Sequence, residues 1–247
     1  MKKLIFILIC FSLLTFGSSA RIIEVAPAGA WGIGLIGGGA PPPAGGGQAF
    51  TDAFAYSDGE LASVSGGNWT KLDGTNASLA SNQVTLEDVC FYEYTGQALD
   101  TDDGYACVRW VDDPSNSAYG GIRFRSDGGV VNKAYVVRWE SNAEVFAWRY
   151  CTASSSCTTF GSTKAHTLDD GDLFCIEWDG ADAATEVKMW DMGGGAMPAR
   201  GTGHWADAAD LTWNDPGENA VNAGTGVGLY NGAAGDIVID DFYAGDQ

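Results

Sequence analysis

Glu177, Trp178 and Asp179 form an acid-aromatic-acid triplet inside a run that alternates in polarity, so on a strand both carboxylates leave the same face. Two carboxyls about 5 Å apart, one of them kept protonated by its neighbours, are what cleavage of a glycosidic bond with retention needs. Asp240 and Asp241 are adjacent instead, which sends them to opposite faces of a strand. His166 and His204 are the two histidines, and neither has a further set of transition-metal ligands at close spacing, so a zinc centre is not expected. No Gly-x-Ser-x-Gly elbow presents a serine nucleophile. The glycine runs at 37–39 and 193–195 lack the lysine and the following helix of a phosphate-cradling loop.

Hard cations need several oxygens at once, and acids at loop tips could supply them. Asp100-Thr101-Asp102-Asp103-Gly104 begins such a loop, but no glutamate stands at the twelfth position of an EF-hand. Sugar recognition asks for aromatic faces flanked by fixed hydrogen-bonding groups. The glycine-interrupted connection over residues 190–222 holds Arg200, His204, Trp205 and Trp213, and its two tryptophans either meet a sugar or cap the edge of the core. Arg109, Arg123, Arg125, Arg138 and Arg149 alternate with apolar residues and so fall on outward strand faces. There they form cross-strand ion pairs with acids such as Glu140, or present guanidinium forks to an anionic sugar.

The elements that must carry these residues are strands. From residue 49 onward, short runs of alternating polarity cover 85–94, 105–111, 121–125, 134–140, 144–151, 173–179, 186–190, 226–230 and 236–243. Gly, Asp, Asn and Ser punctuate nearly every gap, and no segment sustains a 3.6-residue apolar stripe over three turns. The reading is all-β: one antiparallel sandwich over residues 49–247, with Val108, Trp110, Ile122, Phe124, Val137, Trp139, Phe146, Trp148 and Tyr150 facing the core.

The chain has 247 residues and a formal charge of −19, from 13 basic and 32 acidic side chains. So acidic a surface repels phosphate backbones, and nucleic-acid binding is not expected. Lys2 and Lys3 precede an apolar run over residues 4–16 that ends in Gly17-Ser18-Ser19-Ala20, which reads as a secretory signal peptide over residues 1–20. No second apolar run approaches the roughly 20 residues of a membrane span. Residues 21–48 are rich in Gly and Pro, a tether in which Trp31, Ile33, Leu35 and Ile36 could dock on a partner or a second copy. Five cysteines follow the leader. Cys151 and Cys157 flank a short polar loop and are the best disulfide pair; Cys90 with Cys107 is the next choice, Cys107 with Cys175 also fits the outward phase, and one thiol is left over.

The opening DAFAYSDGELASVSGGNWTKLDGTNASLASNQV (52–84) and the closing GTGVGLYNGAAGDIVIDDFYAGD (224–246) resemble the two ends of laminin-G-like, concanavalin A-like lectin/glucanase domains of secreted bacterial and viral proteins. The resemblance implies a two-sheet antiparallel jelly-roll sandwich whose first and last strands pair. It also implies a structural calcium ion where those strands meet, with Asp52 and Asp241 as side-chain ligands and Gly59 lending a carbonyl. Glycanases of that superfamily carry three alternating acids on one strand; Glu177-Trp178-Asp179-Gly180-Ala181 lacks the third. The expected function is a secreted, non-catalytic carbohydrate-binding module for an extracellular polysaccharide or glycoconjugate. The alternative is a structural or adhesion subunit of a cell surface, appendage or virion assembled through residues 21–48, with a glycoside hydrolase third.

Overall fold

The computed structural model of the chain describes residues 48–112, 119–126, 133–153, 155–179, 186–214, 224–233 and 235–247. The expected leader (1–20), nearly all of the Gly/Pro-rich segment, and residues 215–222 of the long connection lie outside the described residues.

The strands run in chain order as β1 (Ala49–Asp52), β2 (Gly59–Glu60), β3 (Trp69–Gly74), β4 (Ala77–Ala80), β5 (Gln83–Leu86), β6 (Cys90–Tyr94), β7 (Gly104–Asp112), β8 (Tyr119–Ser126) and β9 (Ala134–Glu140). They continue as β10 (Val145–Ala153), β11 (Ser156–Thr159), β12 (Lys164–Ala165), β13 (Leu173–Asp179), β14 (Glu186–Asp191), β15 (Leu211–Asn214), β16 (Gly226–Asn231) and β17 (Ile237–Asp246). The one α-helix among the described residues, α1 (Leu61–Val64), starts where the Glu60 carboxylate accepts from the amides of Ala62 and Ser63.

Two antiparallel sheets result. The first has the order β15-β14-β13-β7-β17-β5-β4-β2, with β1 also on β17; the second has the order β11-β10-β9-β8-β16-β6-β3, with β12 on β10. β17 is long enough to pair with β5 along Ile237–Ile239 and with β1 along Phe242–Gly245, so the first and last strands join as the resemblance implies. The run read as one strand over 85–94 is two, β5 and β6, which belong to different sheets. Glu87, Asp88 and Val89 make the crossing, with Asp88 at φ 49 in the left-handed region, and period-two alternation does not register such a break.

The alternation assigns the faces correctly. Val108, Trp110, Ile122, Phe124, Val137, Trp139, Phe146 and Trp148 are buried in the core between the sheets, with Tyr150 packed at its edge. Burying each such side chain contributes roughly 1.5–3 kcal/mol. Their strand neighbours point to the two outer faces, and each outer face carries a smaller apolar cluster of its own.

The cysteines follow the same phase. Cys107 and Cys175 stand directly opposite on β7 and β13 and are bonded, as are Cys151 and Cys157 on β10 and β11. The pairing of Cys90 with Cys107 is not formed. Cys90 belongs to the second sheet and packs in the main core, whereas Cys107 points from the first sheet to its outer cluster. Cys90 is the buried free thiol, and burial pushes its pKa up to about 12.

Candidate functional site

The outer face of the second sheet gathers three of the five arginines. Cross-strand register sets Arg123 of β8 and Arg149 of β10 on either side of Val136 of β9. Arg138 stands two residues further along β9, between Gly121 and Ala147. Phe91 of β6 and Tyr230 of β16 are paired neighbours that form the apolar floor with Val136 and the Cys151–Cys157 bridge. Glycine at 121 is required by a close backbone approach: an added Cβ would strike the Val137 carbonyl.

Each guanidinium has a different environment. Arg123 is fully buried, donates to Glu93 Oε2 at 2.6 Å, and lies 5.1 Å from the Phe91 ring centroid. Arg138 donates from Nε and Nη2 to Glu140 Oε1 at 2.9 and 2.5 Å and lies 4.5 Å from the Tyr119 ring. Arg149 is partly exposed and donates from Nη2 to the Cys157 carbonyl at 2.6 Å. Burial, then the neighbouring Arg138 charge, hold the Arg149 pKa below the usual arginine value. Of this trio Arg138 and Arg149 reach solvent, and Arg123 does not.

Arg125 and Arg109 do not join them. Arg125 occupies a bulge with φ 50 and donates to Asp102 Oδ2 at 2.8 Å, nearly buried. Arg109 belongs to the first sheet, where it donates to Asp241 Oδ2 and to the carbonyls of Gly171 and Gly195 at 3.1, 2.8 and 2.9 Å.

The connection after β14 folds over the outer face of the first sheet. Its 3-10 turn Gly203–Ala206 lowers Trp205 onto Tyr105, edge to face at 5.4 Å, beside Trp190 and the Cys107–Cys175 bridge. Trp205 is 4% exposed, and Trp213, on β15, is 5% exposed within the main core. Neither ring is open to a sugar, so the expectation of ligand-facing tryptophans is corrected: both bury apolar area that the sheet edge would otherwise expose. Arg200 donates to Glu177 Oε1 at 2.8 Å and lies 5.4 Å from the Tyr105 ring. His204 bridges Asp207 and Asp210 at 3.2 and 2.9 Å on the exposed side of the loop. These two residues therefore hold the loop in place.

The expected calcium ligands do not converge. Both Asp52 oxygens are taken by protein donors: Oδ1 by the Phe54 amide at 2.7 Å, Oδ2 by Tyr56 at 2.6 Å and the Trp69 indole at 2.7 Å. Asp52 lies on the core side, opposite Phe242, whereas the bulge at Asp241 (φ 50) turns that carboxylate to Arg109 on the outer side. Gly59 is held in the β2–β4 pairing. Among the described residues no group of three or more His, Cys, Asp or Glu could hold a metal ion. Sequence reasoning missed Glu93, Tyr119 and Tyr230 as partners of the arginines, because their register comes from non-local strand pairing; period-two phase was the one available signal.

No family model matches the chain, and no curated protein does. Solved structures do. A prokaryotic β-1,3-1,4-glucanase (lichenase) derived from a mouse hindgut metagenome is similar at TM-score 0.51 and 13% identity, over 80% of this chain and 98% of that one. Lectin II from Ulex europaeus is similar at TM-score 0.50 and 9% identity, over 81% of this chain and 99% of that one. At such identities the likeness establishes the fold alone: a two-sheet antiparallel jelly-roll sandwich of the kind shared by concanavalin A-like lectins and glucanases.

Proposed function

We propose that the sandwich is a lectin-like carbohydrate-binding module that holds an extracellular polysaccharide or glycoconjugate without cleaving it. A lectin and a glucanase both use this fold, so the acids must discriminate holding from cutting. The observation that carries the reading is the state of Glu177. Its Oε1 accepts from Arg200, Tyr105 and Lys188 are its cross-strand neighbours, and the neighbouring loop covers this face with Trp205 and Met197. In this reading Glu177 anchors the loop through Arg200 instead of facing a leaving group. Binding without chemistry needs instead a fixed face with polar groups at its edge, and the second sheet offers one.

The two disulfides support an oxidising, extracytoplasmic setting. Among the described residues no helix is long and apolar enough to cross a membrane.

The test is a glycan array on the purified, oxidised chain, run with calcium and with chelator, while released reducing ends are counted. Selective binding without new ends is expected. New ends would overturn the non-catalytic part. Binding to no glycan in either condition would overturn the reading and favour a structural subunit docking through residues 21–48.

A further inference from the structure

Three arginines and two glutamates share the outer face of the second sheet, and the glutamates are engaged by Arg123 and Arg138. Arg149 has no carboxylate partner among the described residues. Its neutral partners are the Cys157 carbonyl and the Tyr230 hydroxyl, and its Nε is buried. Arg138 is its diagonal neighbour, flanked by the small residues Gly121 and Ala147, while Arg149 itself stands between Val136 and Thr159. Two like charges side by side, one of them lacking an acid, form a place where an anion gains charge-assisted hydrogen bonds at both. The place is rigid: the Cys151–Cys157 bridge fixes the hairpin whose Cys157 carbonyl orients Arg149, and the Tyr119 ring lies against Arg138. It is also local. The chain carries a formal charge of −19, so an anion is attracted only within about a Debye length, roughly 8 Å, of this pair.

We propose that this face binds an anionic saccharide unit, a uronate or a sulfate ester, by its charged group on Arg149 and Arg138. The proposal rests on the glycan-binding reading and names the class of sugar. The solvent-facing part of the Arg149 guanidinium, away from its buried Nε, takes the anion's charged group, Arg138 contributes from beside Glu140, and the rim residue Tyr119 lies next to the sugar ring.

The experiment is calorimetric titration of the full chain with a neutral β-glucan, with polygalacturonate, with its fully methyl-esterified form, and with a sulfated galactan. One of the two anionic polymers is expected to bind in preference to the neutral one, and the arm that binds separates carboxylate from sulfate. Esterification or desulfation of that polymer removes binding, an outcome that needs no variant to fold. Arg149→Gln weakens binding by roughly tenfold or more, and Arg149→Lys, which keeps charge but loses the fork, falls between. Lys188→Gln removes one positive charge from the other sheet and leaves binding unchanged. Binding of the neutral glucan with rejection of both anionic polymers would overturn this inference and leave the glycan-binding reading standing. Wild-type affinity in both Arg149 variants would overturn the placement, and no binding to any polymer would overturn both.

Discussion

Arg200 and Glu177, 23 residues apart in the chain, meet with Arg200 Nε 2.8 Å from Glu177 Oε1 and the guanidinium over the Tyr105 ring. The contact ties the loop after β14 to β13 and engages the one glutamate whose position suggested acid catalysis. Glu177→Gln should therefore leave reducing-end release from any polysaccharide unchanged. Arg200→Ala should lower stability by about 1 kcal/mol, a fall in melting temperature of roughly 2–4 °C in a chain of this size. A loss of cleavage on Glu177→Gln would restore Glu177 to catalysis.

The Cys107–Cys175 bridge closes a loop with sequence separation 68, against 6 for Cys151–Cys157. A longer loop constrains the unfolded chain more, so the double variant Cys107→Ser/Cys175→Ser should cost about 2–5 kcal/mol and its hairpin counterpart less. Denaturant melts of the two variants decide the order. Thiol labelling adds a check: the oxidised native chain should not react at Cys90, which is fully buried, and should release one reactive thiol there on unfolding.

His204 donates to two carboxylates, and its hydrogen bonds to Asp210 and then Asp207 raise its pKa above the usual histidine value. Asp210 also accepts the backbone amide of Asp191, and Asp191 accepts from His166, so both histidines lie along one seam between the loop and β14. A raised folded pKa means that this stabilisation is complete below the unfolded value, about 6.5, and is lost as pH rises through the folded value. Melting temperature should fall over that interval. His204→Ala should flatten the fall, and an unchanged pH profile in the variant would assign the slope to other groups.

Asp52 accepts the Trp69 indole and the Tyr56 hydroxyl on one oxygen. Asp52→Asn keeps the shape but loses the charge, and should destabilise by roughly 1.5–3 kcal/mol, the range for hydrogen bonds to charged groups. The loss should be the same in calcium and in chelator. A loss confined to calcium-containing buffer would make Asp52 an ion ligand after all.

The sequence by itself determined what is local and periodic. Alternation in Ile122-Arg123-Phe124 and Val137-Arg138-Trp139 set which side chains enter the core, because successive residues of a strand point to opposite faces. The short loop between Cys151 and Cys157 likewise announced its disulfide. Tertiary structure alone decided what depends on register between distant strands. It placed Cys107 opposite Cys175 rather than near Cys90, turned Asp241 away from Asp52 through a one-residue bulge, and folded Trp205 down onto Tyr105. It also matched Glu93 to Arg123 and Glu140 to Arg138 while leaving Arg149 without an acid among the described residues. Phase names the face on which a charge stands; which charge stands beside it is set by hydrogen-bonded pairing between segments far apart in the chain, and one residue of slip would rewrite every such neighbour.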